Sequence, residues 1–267
     1  MTVRVGIVGL GPVGRGVAEA VDRSLEGYTL SAVAARRQDV ARNFVAGLQA
    51  PAPVVSVAEV VELSDVVVEC APAAIFDEIA APTVAAGKTL VVLSAGALLT
   101  SWHLVEAARS TGASILVPSG ALLGLDAVQA AAEGVIESVT MVTRKPVIGL
   151  KGAPYLVENG LSIDDIRTPT RVFAGSAREA ATGFPANLNV AVALALAGIG
   201  PDLTRLEIWA DPSLTRNTHR IEVVSDAAVF SLSIENIPSE NPRTGRLTAL
   251  SVVALLRKRT SPLQVGT

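Results

Sequence analysis

Three glycines near the N-terminus and one histidine in the second half of the chain are the residues best suited to chemistry. Gly9, Gly11 and Gly14 give G-x-G-x-x-G within VRVGIVGLGPVGRG at 3–16. The apolar run Val3, Val5, Ile7, Val8 before them suits a short buried strand. Val13, Val17, Ala20 and Val21 after them share one helical face. In such a unit Gly9 permits the tight turn, Gly11 lets the backbone approach a pyrophosphate, and Gly14 lets helix and strand pack closely. The helix start, with Pro12 and Val13, then offers free N–H groups and a positive dipole end to the phosphates. The spacing predicts dinucleotide binding; the plain alternative is a glycine-rich structural turn.

The end of the next strand bears on which dinucleotide is held. A carboxylate there, ~20 residues past the glycines, would accept the ribose 2′-hydroxyl. The chain has Ala34-Ala35-Arg36-Arg37 instead. Guanidinium groups suit a phosphate through paired, charge-assisted hydrogen bonds. Arg36 and Arg37 therefore favour NADP over NAD, unless they are ordinary solvated charges opening a helix.

There are two histidines. His103 opens a helix expected to cover the sheet and reads as a surface or capping residue. His219 ends Ala210-Asp211-Pro212-Ser213-Leu214-Thr215-Arg216-Asn217-Thr218-His219, a polar cluster beside expected strands. A hydride transfer that makes or breaks a carbon–nitrogen bond also needs a proton donor and acceptor, and histidine titrates near neutrality. Asp211 is placed to orient it; a structural histidine is the alternative. Asn187 and Asn189 stand two apart at a helix start, able to cap it or to bind a carboxamide or carboxylate. Arg144 and Lys145 end an expected strand and would suit a dianionic substrate, as would Arg216 and Asn217. The turn at 235–242 reads as a structural loop.

Composition bounds the rest. The 267 residues are 50% hydrophobic but only 3% aromatic, so Ala, Val and Leu must fill the core. The net charge of −3 comes without charge blocks, which argues against a nucleic-acid partner. Cys70 is the only cysteine, so no intrachain disulfide and no cysteine-rich metal site is expected; no metal is assigned. With a strand beginning at once, no leader peptide is expected, and no apolar run reaches the ~18 residues of a membrane span. A cytoplasmic protein is the expectation.

Strands are expected at 3–8, 28–34, 54–55, 65–70, 89–93 and 113–117, and helices at 39–48, 58–63, 75–86 and 101–110. Gly87 and Gly112 stop the last two helices. Such alternation implies a parallel sheet with helices on both faces, whose ligands collect at the carboxyl ends of strands. That edge would hold the small-residue turns Cys70-Ala71-Pro72-Ala73, Ser94-Ala95-Gly96 and Ser119-Gly120-Ala121. The rhythm changes after 122. Helices at 125–132 and 179–197, broken at Pro185, accompany strands at 136–144, 172–174, 203–210, 220–224 and 229–235, with 145–170 rich in loops. The reading is a dinucleotide-binding domain at 1–122, a catalytic domain with a mixed sheet at 123–243, and a helix at 244–257 packing back on the first domain.

Several motifs in order carry a resemblance: GLGPVG at 9–14, PSGALLGLDA at 118–127, TRKP at 143–146, FPANLNVAVALALAG at 184–198, ADPSLTRNTH at 210–219, and ENIPSENPRTG with LTALSVVALLR over 235–257. The chain resembles the L-aspartate dehydrogenases over nearly its whole length. The resemblance implies a Rossmann domain, an α/β catalytic domain, and NAD(P)-dependent oxidation of L-aspartate through iminoaspartate to oxaloacetate and ammonia, or the reverse. It implies that His219, the histidine of RNxH, is the active-site residue, and that Ala121 and Asn189, rather than Asn187, touch the cofactor. It also implies a homodimer, and a product that feeds either NAD biosynthesis as iminoaspartate or central metabolism as oxaloacetate. One departure is Ala35, where several relatives have an aspartate; this agrees with the arginine argument. Leu122-Leu123 is bulky for a turn beside a cofactor.

Rival readings remain. A sugar dehydrogenase of the glucose–fructose oxidoreductase type usually shows Glu-Lys-Pro where this chain has Ser94-Ala95-Gly96. A dihydrodipicolinate reductase or a reductase of a related imine would use similar carboxylate clamps. A non-catalytic NADPH-binding sensor would keep the glycines without needing Arg216, Asn217 and His219 together.

Overall fold

Five short apolar strands, each followed by a helix or turn, build the first of two units. In the computed structural model, which describes residues 2–185, 188–238 and 245–267, this unit comprises the residues up to 120 together with 248–264, and the second 121–247 with 265–267. The first runs β1 (Val3–Val8), α1 (Pro12–Arg23), β2 (Tyr28–Ala34), α2 (Gln38–Val45), α3 (Val57–Leu63), β3 (Val66–Glu69), α4 (Phe76–Ala85), β4 (Thr89–Val92), α5 (Ala95–Thr100), α6 (His103–Thr111) and β5 (Ser114–Leu116).

The strands are parallel, in the order β2-β1-β3-β4-β5. Helices cover both faces of such sheets, so central strands are apolar on both sides; β3 is buried at every residue. The strand expected at 54–55 is reduced to a single parallel bridge, Val33–Val54, outside β2. The Pro51 and Pro53 flanks explain this, because proline cannot donate to a ladder. Counting the bridge, the order is that of the doubly wound Rossmann sheet, reversing between β1 and β3.

Local chemistry sets several ends. Gly87 (φ +67°) and Gly112 (φ +75°) close α4 and α6 in the left-handed region. Ser56 and Glu59 form a reciprocal capping box at α3. Two expectations are corrected here. The turn at 94–96 passes directly into α5, and α6 starts at His103 rather than Ser101, whose hydroxyl donates to Asp77 Oδ1.

The second unit runs α7 (Leu125–Ala132), β6 (Ile136–Lys145), α8 (Pro154–Glu158), β7 (Thr170–Ser176), α9 (Ala177–Gly183), α10 (Asn189–Ala197), β8 (Arg205–Ala210), β9 (Thr218–Ser225) and β10 (Val229–Glu235). Its sheet has the order β10-β9-β6-β8-β7. β6 and β8 are parallel and the other pairs antiparallel, making the sheet mixed. One face is buried: Val139 and Met141 on β6, Leu206 and Ile208 on β8, and Ile221 and Val223 on β9 join Leu188, Ala191 and Leu194 in one core. Leu122 belongs to this core at 2% exposure, which accounts for its bulk. Three spans differ from expectation: β7 is longer at both ends, β9 starts at Thr218 and so includes His219, and Lys145 is the last residue of β6 rather than loop.

The last helix, α11 (Leu247–Thr260), belongs to the first unit from residue 248 on. Val252 and Leu256 are fully buried in that unit's core. The Tyr28 hydroxyl donates to Leu256 O at 2.7 Å, and Gly120 N donates to Ser251 Oγ at 3.1 Å.

Candidate active site

In the first unit β1 delivers the chain to Gly9, which turns at φ +99°. A Cβ there would collide with the Cys70 carbonyl and lie 2.8 Å from Ala71 N. A Cβ on Gly14 would run into Gly9 O. Both positions therefore need glycine for packing alone. Gly11 differs: a Cβ there would meet nothing within 4 Å. Its openness is the cradle that a pyrophosphate would fill. Gly11 is also the N-cap of α1, with Pro12 in the first turn, no side-chain cap and no acidic residue nearby. The first-turn N–H groups, Val13 and Gly14 among them, are thus left for an anion. These residues fit a nicotinamide dinucleotide.

Around this cradle lie the other candidates of the first unit. Arg36 and Arg37 are exposed just past the end of β2, and neither is in an ion pair among the described residues. Cys70 and Ala71 follow β3, and Ser94 and Ala95 follow β4, at the carboxyl edge beside the strand-order reversal, where such sheets bind their ligands. Cys70 is partly buried, and desolvation, with the Glu69 charge adding to it, holds its thiol well above its ordinary value.

Sequence reasoning missed Glu69. It ends β3 at 0% exposure. Oε1 accepts from Ala71 N at 3.1 Å and Ser94 Oγ at 3.0 Å; Oε2 accepts from Ser94 N at 2.8 Å and Leu93 N at 3.1 Å. Burial pushes its carboxyl up to about 7, against the pull of those four donors. The Ser94 hydroxyl is therefore turned toward Glu69. The available signal was a lone acid in an all-valine strand, which has nowhere to go but inward.

In the second unit the buried sheet face turns polar at one end. β6 and β8 end there and β9 begins there. Thr143 and His219 are paired across β6 and β9, and Thr143 Oγ1 lies 2.8 Å from His219 Nδ1. Side chains alternate along a strand, so Lys145 emerges on the same face; His219 is 4% and Lys145 2% exposed. Desolvation lowers His219 to about 3, with the Lys145 charge adding to the effect, and lowers Lys145 to about 8. The result is a neutral imidazole beside a buried, largely charged ammonium.

The remaining candidates sort by position. Arg144 leaves β6 on the opposite face from Lys145, over the Trp209 ring at 5.4 Å from its centroid and 3.8 Å from Asp211. Asp211 is buried, but its Oδ1 accepts from Ser213 N and Oγ at 2.9 and 2.6 Å. Thr143, not Asp211, is the observed partner of His219. Arg216 lies 3.7 Å from Glu235. Asn217 O accepts from Asn236 N at 2.9 Å, and Asn236 Nδ2 donates to Ala121 O at 2.9 Å. The buried Asn236 thus ties Ala121 to the segment preceding His219, a link the turn motif alone did not reveal. Asn189 is the first residue of α10 and half-buried; Asn187 lies outside the described residues. His103 is exposed in the first unit. Among the described residues no group of three or more His, Cys, Asp or Glu is placed to hold a metal.

Comparison with known proteins gives the family. Residues 126–259 match the family model described as aspartate dehydrogenase, C-terminal, and residues 9–118 that described as homoserine dehydrogenase, NAD binding domain. The chain is 57% identical over 265 residues to an L-aspartate dehydrogenase of Bradyrhizobium diazoefficiens, covering 99% of this chain and 94% of that one. It is 57% identical over 264 residues to L-aspartate dehydrogenase 3 of Bordetella bronchiseptica, covering 98% and 97%. The crystal structure of aspartate dehydrogenase from Thermotoga maritima superimposes with a TM-score of 0.74 at 23% identity, covering 100% of both chains, and so shares the fold. With a nicotinamide-dinucleotide cradle in one unit and a buried His–Thr pair in the other, the chain belongs to the aspartate dehydrogenase family.

Proposed function

We propose that this protein oxidises L-aspartate with NAD(P)⁺ and water to oxaloacetate, ammonium, NAD(P)H and a proton, and runs the reverse reductive amination. The observation that carries this reading is the Thr143–His219–Lys145 group on one buried face. The bound nicotinamide supplies a hydride acceptor for the substrate Cα. Every other task falls to the chain. Gly9, Gly11 and Gly14, with the first turn of α1, hold the pyrophosphate. Lys145 offers its charge to a substrate carboxylate. His219, neutral at physiological pH, takes a proton from the water that attacks the imine and returns one on the reverse path. Thr143 fixes the imidazole plane. A dicarboxylate beside Lys145 raises the proton affinity of His219, because its negative charge offsets the ammonium. Asn217, Asn187 and Arg216 are candidate substrate contacts; Ala121 and Asn189 are candidate contacts of the nicotinamide amide.

The finer cofactor preference is for NADP. Arg36 and Arg37 follow closely on β2, where this reading puts the ribose, and the residues just before them are Ala34 and Ala35 rather than a carboxylate. A small-molecule substrate, a homodimer, a cytoplasmic location and no nucleic-acid or membrane partner complete the reading; the resemblance supports the dimer, and no helix among the described residues is long and apolar enough to cross a membrane.

Initial rates of reduced-cofactor formation test the proposal, with NADP⁺ and NAD⁺ in parallel and L-glutamate, L-alanine and D-aspartate as controls. Turnover confined to L-aspartate and faster with NADP⁺ is expected. Replacing Arg36 and Arg37 together by Ala is expected to raise KM for NADP⁺ about tenfold or more while leaving NAD⁺ within about twofold. If L-aspartate is inert, and oxaloacetate with ammonium and NADPH is also inert, the reading fails.

A further inference from the structure

We propose that Glu69 is a positioning residue for the nicotinamide half of the dinucleotide, its two carboxylate oxygens drawing the turns after β3 and β4 into one fixed rim. The inference rests on the cofactor reading above.

The geometry sets the division of labour. The adenosine and pyrophosphate half is assigned to the turn after β1 and the end of β2, where Gly11 and the two arginines lie. The strand order reverses between β1 and β3. A dinucleotide lying across that crevice carries its other half past the ends of β3 and β4. Those ends are the residues that Glu69 organises. The β3–β4 ladder pairs residues only as far as Glu69 with Val92. The carboxylate continues the connection past the ladder, through Ala71 N on one side and Leu93 N, Ser94 N and Ser94 Oγ on the other.

An ordinary structural tie does not need a fully buried acid. Burying a carboxylate away from any cation costs free energy that hydrogen bonds only partly return. What a carboxylate offers here, and a neutral amide does not, is acceptor capacity on both atoms. A glutamine at 69 can keep one oxygen on two donors, but its NH₂ would then face an N–H or the Ser94 hydroxyl. The Ala71 or the Leu93–Ser94 turn must loosen, while none of the four hydrogen bonds to Glu69 reaches Gly11, Arg36 or Arg37.

The test compares complete dinucleotides with their adenosine halves on the full chain. NADPH and NADH are titrated by fluorescence, and 2′-phospho-ADP-ribose and ADP-ribose by calorimetry, against wild type and Glu69→Gln. The expected result is about tenfold weaker binding of the dinucleotides with the fragments within about twofold. Amide exchange without cofactor should rise at Ala71, Leu93 or Ser94. If Glu69→Gln does not fold, Ser94→Ala removes one of the four donors and should give the same pattern, about threefold for the dinucleotides. Equal weakening of dinucleotide and fragment makes Glu69 a general scaffold residue and overturns the inference. Unchanged dinucleotide binding in a folded variant overturns it too. A wild-type chain that binds no dinucleotide would remove the cofactor reading and this inference with it.

Discussion

Thr143 Oγ1 and His219 Nδ1 lie 2.8 Å apart at directly paired positions of adjacent strands. Strand pairing therefore sets the imidazole orientation, before any ligand is present. Whichever of the two donates, one ring nitrogen is committed and Nε2 is left for chemistry. His219→Ala is expected to lower turnover about 10²–10⁴-fold, with cofactor affinity nearly unchanged. Thr143→Val keeps shape but removes the partner, and should lower kcat about tenfold with little change in KM for the cofactor. Thr143→Ser should restore most of it. Single-turnover and steady-state rates on the three variants check this. A Val variant as active as the Ser variant would show that the pairing does not matter.

Lys145 gives a pH prediction with a definite sign. Burial lowers its ammonium to about 8, so its charge fades as pH rises through that value. Inhibition by succinate, which lacks a titrating amine, is expected to weaken between about pH 7.5 and 9.5. Lys145→Arg keeps its charge over this range, and any succinate affinity it retains should be flat with pH. Parallel pH dependence in both proteins would place the titration elsewhere.

The glycine cradle separates packing from binding. A Cβ at Gly14 meets Gly9 O, whereas one at Gly11 meets nothing. Gly14→Ala is expected to cost about 1–3 kcal/mol of stability, since the backbones must move apart. Gly11→Ala should leave stability within about 0.5 kcal/mol and still weaken dinucleotide binding, because the methyl enters the space a pyrophosphate needs. Urea denaturation and NADPH titration of the two variants measure these separately.

The alternation of strand and helix made the parallel sheet legible, because each buried strand is a short apolar run flanked by turn residues. At 54–55 that rule over-reached: two valines look like a strand, but the adjacent prolines leave hydrogen bonds for only one bridge. The RNTH motif pointed to His219, but not to what holds it. Thr143 and Lys145 share a face with His219 only through the register of β6 against β9, and register is a long-range property that spacing along the chain does not encode. The same alternation separates Arg144 from Lys145, which adjacency in sequence had joined. Glu69 escaped notice because a single acid in a valine run says that something must satisfy it, not that Ala71, Leu93 and Ser94 do.

Two buried groups make the stability profile of this protein readable. His219 is depressed from 6.5 to about 3, so the unfolded chain binds its proton more readily between those values. Its contribution is fully present above pH 6.5 and is lost as pH falls through about 3. Glu69 is raised from 4.5 to about 7, so the folded chain holds that proton more tightly. Its contribution is fully present below pH 4.5 and is lost as pH rises through about 7. The two slopes oppose each other between pH 4.5 and 6.5 and partly cancel. Single replacements uncover them. Relative to wild type, Glu69→Gln should gain stability steadily from pH 4.5 to 7, whatever its offset at any one pH. His219→Gln should lose less than wild type as pH falls from 6.5 toward 3. Urea midpoints at half-unit pH intervals give both slopes. A Glu69→Gln profile parallel to wild type across that window would show that the carboxyl titrates alike in the folded and unfolded chain, and its buried environment would then have no thermodynamic consequence.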